Sequence, residues 1–155
     1  MELDVIVFEA GDRRFAMELR FVQEVFALGH VTPVPLAPPA IQGAANLRGK
    51  MVPVVSVGPL FGLPSPPKVL PGTAAILATV DDTTAAIPVR RVVDVVSVPR
   101  SRYEEGGQGS GPLVPGSFRG AAGTIPLLDI EAALRTVRAS SRQANELIHS
   151  RSETR

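Results

Sequence analysis

The segment AMELRFVQEVF at residues 16–26 can be laid over AIPVRRVVDVV at residues 86–96. The two share an alanine, apolar residues at matching positions, an arginine, a valine and an acid followed by valine. A second pair follows in the same order: RGKMVPVVSV (48–57) against RGAAGTIPLLDI (119–130). Each has Arg-Gly, a short turn, an apolar residue, a proline and further apolar positions. The offset is 70 residues for the first pair and 71–73 for the second. Two ordered matches at nearly constant offset predict an internal duplication. Each half holds about five short strands, at the close spacing of small barrels. The predicted fold class is therefore all-β, with two similar five-stranded barrels packed together and a C-terminal helix. The first barrel is expected at roughly 5–70 and the second at roughly 71–128.

Local patterns agree with that outline. VIVF (5–8) and FAM (15–17) flank an AGDRR turn and read as a hairpin. ELRFVQEVFAL (18–28) reads as a short helical turn leading into an extended segment. HVTPVPLAPP reads as an exposed edge strand or extended connection, because proline removes a ladder donor. APPAIQGAAN (37–46) is expected to turn, with one helical turn at 39–43. GKMVPVVSV (49–57), TAAILATV (73–80) and VVDVVSVP (92–99) read as strands. Residues 58–72 read as a loop with an apolar anchor at Leu60, Phe61 and Leu63, and 101–112 as a mobile glycine-rich loop. Ile130, Ala133, Leu134 and Val137 recur at helical spacing, and Asp129 is placed to cap them. Residues 140–155 are polar and read as a helical extension or a disordered tail.

Composition narrows the function. A chain of 155 residues, 45% hydrophobic, buries roughly 70% of its unfolded surface without a metal or disulfide staple. Cysteine is absent, which removes thiolate metal sites and thiol nucleophiles. A net charge of +1 and an aromatic content of 5% argue against nucleic acid as a partner. The N-terminal MELDVIVFEA has acids where a signal peptide carries bases, and no apolar run approaches a membrane span. A cytoplasmic protein without membrane insertion is expected. His30 and His149 lie far apart and read as exposed loop residues. The glycines from Gly106 to Gly111 lack a phosphate-cradling motif, and Ser56 and Ser97 have no neighbouring base. No catalytic residue, metal site or cofactor is predicted.

Charge points instead to a binding surface. Between Leu19 and Val80 the only acid is Glu24. A lone carboxylate in so apolar a region is most stable beside a cation, and Arg48 is the natural partner. The alternative is a solvated Glu24 and an Arg48 that only caps a turn. Gly43 and Gly49 bracket the segment and suit a concave groove as well as a tight turn. Val22, Val31, Ile41 and Leu47 around it suggest an exposed apolar strip.

FVQEV (21–25), TPVPLAPPAIQGAANLRGKMVPVV (32–55), VVDVVSVP (92–99) and FRGAAGTIPLLDIEAAL (118–134) together resemble CheW, the adaptor family that couples bacterial chemoreceptors to the CheA histidine kinase. The resemblance runs from about Val5 to Val137 and treats 1–139 as one domain. It implies two five-stranded SH3-like barrels, no catalysis and no cofactor. It also implies two partners, the hairpin tip of a receptor's cytoplasmic coiled coil and the regulatory domain of the kinase, at membrane-associated arrays. Carried over by position, Val22, Glu24, Gly43, Arg48 and Gly49 are the implied receptor-facing residues, with Glu24 and Arg48 as polar partners. Val31 and Ile41 of the apolar strip complete the expected receptor-binding set. Kinase-binding residues are not assigned. Ser56 departs from the family, which usually has Asp there. A regulatory or decoy subunit that binds one partner alone is the other function compatible with this resemblance.

Overall fold

The computed structural model describes residues 2–60, 68–106, 111–120 and 123–139. Twelve strands occur among them: β1 (Glu2–Ala10), β2 (Arg13–Glu18), β3 (Val22–Ala27), β4 (Val31–Thr32), β5 (Ile41–Leu47), β6 (Lys50–Val55), β7 (Ala74–Val80), β8 (Thr83–Pro88), β9 (Arg91–Pro99), β10 (Tyr103–Glu105), β11 (Gly116–Gly120) and β12 (Gly123–Leu127). A short helix, α1 (Val57–Leu60), follows β6, and a second, α2 (130–139), follows β12.

The strands form two six-stranded sheets, in the orders β10-β11-β12-β2-β1-β9 and β4-β5-β6-β8-β7-β3. Adding six to each strand number of the second, and counting past twelve back to one, reproduces the first. Registers repeat as well. Val5 opposes Glu18 as Ala75 opposes Pro88, and the parallel pairs Leu127–Ala16 and Val54–Ala86 close the two sheets alike. Even the bulges match, between Val7 and Phe8 in one sheet and between Val22 and Glu24 in the other. The predicted all-β duplication, two packed SH3-like barrels with a C-terminal helix, describes this architecture, with six strands per sheet rather than five.

The barrel boundaries differ from those expected. The chain does not divide near residue 70, because the β1–β2 hairpin joins the strands of the second half and β7–β8 those of the first. The repeated segment 16–26 leaves one sheet through a 3₁₀ turn at Leu19–Phe21 and enters the other at β3; its copy at 86–96 crosses back between β8 and β9. The exchange follows from two-faced hairpins. Val5, Val7 and Ala16 point into one barrel core, while Ile6, Phe8, Phe15 and Met17 point into a shared core between the sheets. Ala75 and Ala86 likewise face the other barrel core, with Ile76, Ala78, Ala85 and Ile87 in the shared one. Strands buried on both faces are apolar at consecutive positions rather than alternating, as VIVF and AAIL are.

α2 seals the shared core with Ile130, Ala133, Leu134 and Val137. Asp129 caps it as expected, its Oδ1 accepting the Ala132 N–H at 3.1 Å. Two local expectations fail. Residues 41–43 belong to β5 instead of a helical turn, since Gly43 must let β4 approach closely. Within 101–112, Tyr103–Glu105 forms β10 against β11, because that sheet needs the counterpart of β4. Leu60 packs against the shared core, whereas Phe61, Leu63, His149 and the expected tail lie outside the described residues.

Candidate functional site

Leu47 pairs with Lys50, so Arg48 and Gly49 are the two turn residues of the β5–β6 hairpin. Both have positive φ, 50° and 85°, as a type I′ turn requires. Asn46 supports the turn, its Oδ1 accepting the Gly49 N–H at 3.0 Å. Glycine suits this conformation and arginine does not: positive φ in a residue with a Cβ is strained unless something else holds it. The holding contact is Glu24. Arg48 Nη2 donates to Glu24 Oε2 at 2.8 Å, from the hairpin tip to edge strand β3. The bond and the charge of Glu24 together raise the pKa of the guanidinium, with desolvation opposing, so it is ionised at any physiological pH. The pair predicted from charge distribution is thus formed.

Glu24 carries a second anomaly. Its Oε1 is enclosed and, among the described residues, has no hydrogen-bond partner. A buried carboxylate oxygen left unsatisfied costs free energy that packing does not return. A strained arginine, 73% exposed in its side chain, and a half-satisfied acid form a poor stabilising device and a good recognition element. Val25, next to Glu24 in β3 but on the strand's other face, and Met51, two residues past the turn, are 47% and 58% exposed.

The other expected residues divide. Gly49 belongs to the tip. Gly43 is buried beneath β4, where an added Cβ would stand 2.3 Å from the Thr32 carbonyl oxygen. Val31 is 6% exposed and packs in the barrel core. These two shape the surface but present almost none of it. Val22 sits at the β3 bulge, partly buried against the shared core. Ile41 lies at the opposite end of β5 from Arg48, roughly 20 Å along the strand. There it lines a separate cleft of about 360 Å³ with Pro53, Val55, Leu134 and Val137, closed at one side by the Arg138–Asp82 ion pair at 3.6 Å. The predicted set is therefore two surfaces, one polar around Glu24–Arg48 and one apolar against α2. Val25 and Met51 were missed. The alternation of β3, with exposed Gln23, Val25 and Ala27, carries the signal for Val25.

The apparent copy at Arg119-Gly120 is not the counterpart of this tip. Arg119 pairs with Thr124 and Gly120 with Gly123, so both are strand residues of β11 rather than turn residues. Gly116 matches Gly43 in partner strand and in crowding: its Cβ would meet the Glu104 carbonyl oxygen at 2.4 Å. Counting from that match, Arg119 occupies the position of Asn46. Arg48 therefore has no arginine counterpart in the other sheet.

Among the described residues no group of three or more His, Asp or Glu could hold a metal, and no helix is long and apolar enough to cross a membrane. A family model described as a CheW-like domain matches residues 4–138, and the chain belongs to that family. Chemotaxis protein CheW of Thermotoga maritima is 25% identical over 66% of this chain and 67% of its own length. Its Treponema pallidum namesake is 24% identical over 63% and 59%, and that of Rhizobium meliloti 28% over 61% of each. The matches thus span about three fifths of the length of the last two relatives. In fold, the chain is similar to the crystal structure of the scaffolding protein TtCheW from Thermoanaerobacter tengcongensis. The TM-score is 0.72 at 23% identity, over 83% of this chain and 90% of that one.

Proposed function

We propose that this CheW-like chain is a non-enzymatic adaptor that couples the cytoplasmic hairpin tip of a chemoreceptor to a CheA-type histidine kinase, at receptor arrays on the cytoplasmic side of the membrane. The observation that carries the reading is Arg48, held at positive φ on a carboxylate of another strand, with Val25 exposed on β3 and Met51 on β6. A helix tip laid there would find one fixed cation, one acid and apolar flanks, the elements of helix-in-groove recognition. Gly49 keeps the turn tight, and Gly43 and Val31 hold β4 behind it. Val22, partly buried at the β3 bulge, supports this surface from beneath, while Ile41, in the separate cleft against α2, stands apart from it. The kinase docks on a different face, so both partners are held at once.

Pull-down of the full chain with a receptor signalling tip and with the kinase regulatory domain tests the proposal. Binding to both, together in one complex, is the expected result. Binding to neither refutes it, and binding to one alone makes the chain a regulatory or decoy subunit. Arg48→Glu and Glu24→Arg weaken receptor capture at least about tenfold while melting shifts little, because an exposed ion pair adds little stability.

A further inference from the structure

The β1–β2 hairpin and the start of β9 carry a second charged device. Arg14 on β2, Glu9 on β1 and Arg91 on β9 stand in one cross-strand row, Glu9 opposing both arginines. Both donate to the same oxygen: Arg14 Nε to Glu9 Oε1 at 3.3 Å and Arg91 Nη2 to Glu9 Oε1 at 2.9 Å. Each guanidinium has five N–H donors in a planar fork, so most of each fork stays unused in these bonds. Arg13 and Arg90, both exposed, stand next to them in the chain and make no ion pair among the described residues. The backbones of Arg13, opposite Ala10, and of Arg90, whose N–H donates to the Glu9 carbonyl, adjoin this row. Four arginines thus surround the tip of the hairpin, with Glu9 and Asp12 the acids of the same segment.

The duplication supplies the internal control. The positions of Glu9 and Arg14 are taken in the other sheet by Thr79 and Thr84, whose hydroxyls bond at 3.0 Å. The position of Arg90 is taken by Arg20, already committed to Glu18 at 3.2 Å and Glu131 at 3.5 Å. A hydroxyl pair holds that row together, so the arginine cluster is an addition the barrel does not need.

We infer that the Arg13, Arg14, Arg90 and Arg91 end is a docking surface for a carboxylate-rich segment of a partner protein. Glu9 pre-orients two guanidinia with unused donor edges, the geometry that takes planar carboxylates bidentately. The two acids within the cluster oppose a continuous phosphate backbone or an anionic membrane, and a net charge of +1 gives no wider field to attract either. This surface is independent of the Glu24–Arg48 site and of the adaptor reading.

Fluorescence anisotropy of the full chain with a labelled peptide of alternating glutamate and aspartate is the test. Binding at about 0.02 M salt that fades by about 0.2 M is expected. Arg90→Ser with Arg91→Ser weakens it at least about tenfold. Arg102→Ser with Arg119→Ser removes the same charge elsewhere and changes affinity less than about twofold. Arg13→Ser, which touches no ion pair, weakens binding without altering melting, and Arg91→Lys, which keeps charge and loses the fork, gives an intermediate loss. Equal losses in the two double variants, no binding at low salt, or tighter binding to phosphatidylserine vesicles or inorganic phosphate than to the peptide would each overturn the inference.

Discussion

The two sheets share strand order, register and bulge positions, yet their polar decoration differs at each matching place. Glu24 and Asp94 both sit at the edge-strand bulge, opposite Leu77 and Val7 respectively. Glu24 reaches across to Arg48, whereas Asp94 turns back on its own strand and accepts the Val95 N–H at 2.8 Å. In the hairpin row, Glu9 and Arg14 of one sheet stand where Thr79 and Thr84 pair in the other. Shared features mark what the barrel requires, and unshared ones mark what has been added. The crowded glycines belong to the first class, and Arg48, Arg14 and Arg91 to the second; only Arg90 has an arginine, Arg20, at its matching place.

Substitutions in the shared class carry the largest effects and test whether the two halves are built alike. Gly43→Ala and Gly116→Ala each push a Cβ against a backbone oxygen at 2.3 and 2.4 Å, contacts that a side-chain rotation cannot relieve. Both cost about 3 kcal/mol or more in chemical denaturation. A loss confined to one would end the equivalence of β4 and β10. Next comes the helix that only the second half extends: Asp129→Ala removes the cap bond and costs about 1 kcal/mol by the same measurement.

Smallest is a pH effect at the arginine row. The hydrogen bond from Arg91 lowers the Glu9 pKa below its ordinary 4.5, helped by the charges of Arg91 and by Arg14, with desolvation opposing. A carboxylate with a depressed folded-state pKa stabilises above its unfolded value and loses that contribution as pH falls through the folded one. The melting advantage of the wild type over Glu9→Gln should therefore be present at neutral pH and shrink below 4.5. An advantage that grew on acidification would show that the arginines do not hold Glu9 ionised.

Much of this was legible in the chain. The duplication and the C-terminal helix with its Asp129 cap follow from spacing, because strands and caps answer to local pattern. Charge, by contrast, left the Glu24–Arg48 pair level with a solvated Glu24 and a turn-capping Arg48 until the structure joined them. The exchange of hairpins was not legible, since VIVF and AAIL show two buried faces without saying which sheets cover them. Arg119-Gly120 misled because identical residues can fall two positions apart in register, and register is fixed by pairing rather than identity. Gly43 resembles a surface residue until β4 is seen folded over it, and Val31 until β4 turns its side chain into the barrel core. The row at Glu9 joins residues 82 apart in sequence, beyond any local reading.

Arg48→Asn tests the central claim most directly, because it separates architecture from recognition at one residue. It leaves Asn-Gly at a turn that needs two positive φ values, the preferred dipeptide for that geometry. If Arg48 is kept for a partner at the expense of backbone strain, the variant melts about 1–3 °C higher and loses receptor-tip binding at least about tenfold. A variant that melts lower and still binds would contradict the account and make the Arg48–Glu24 pair a structural strut.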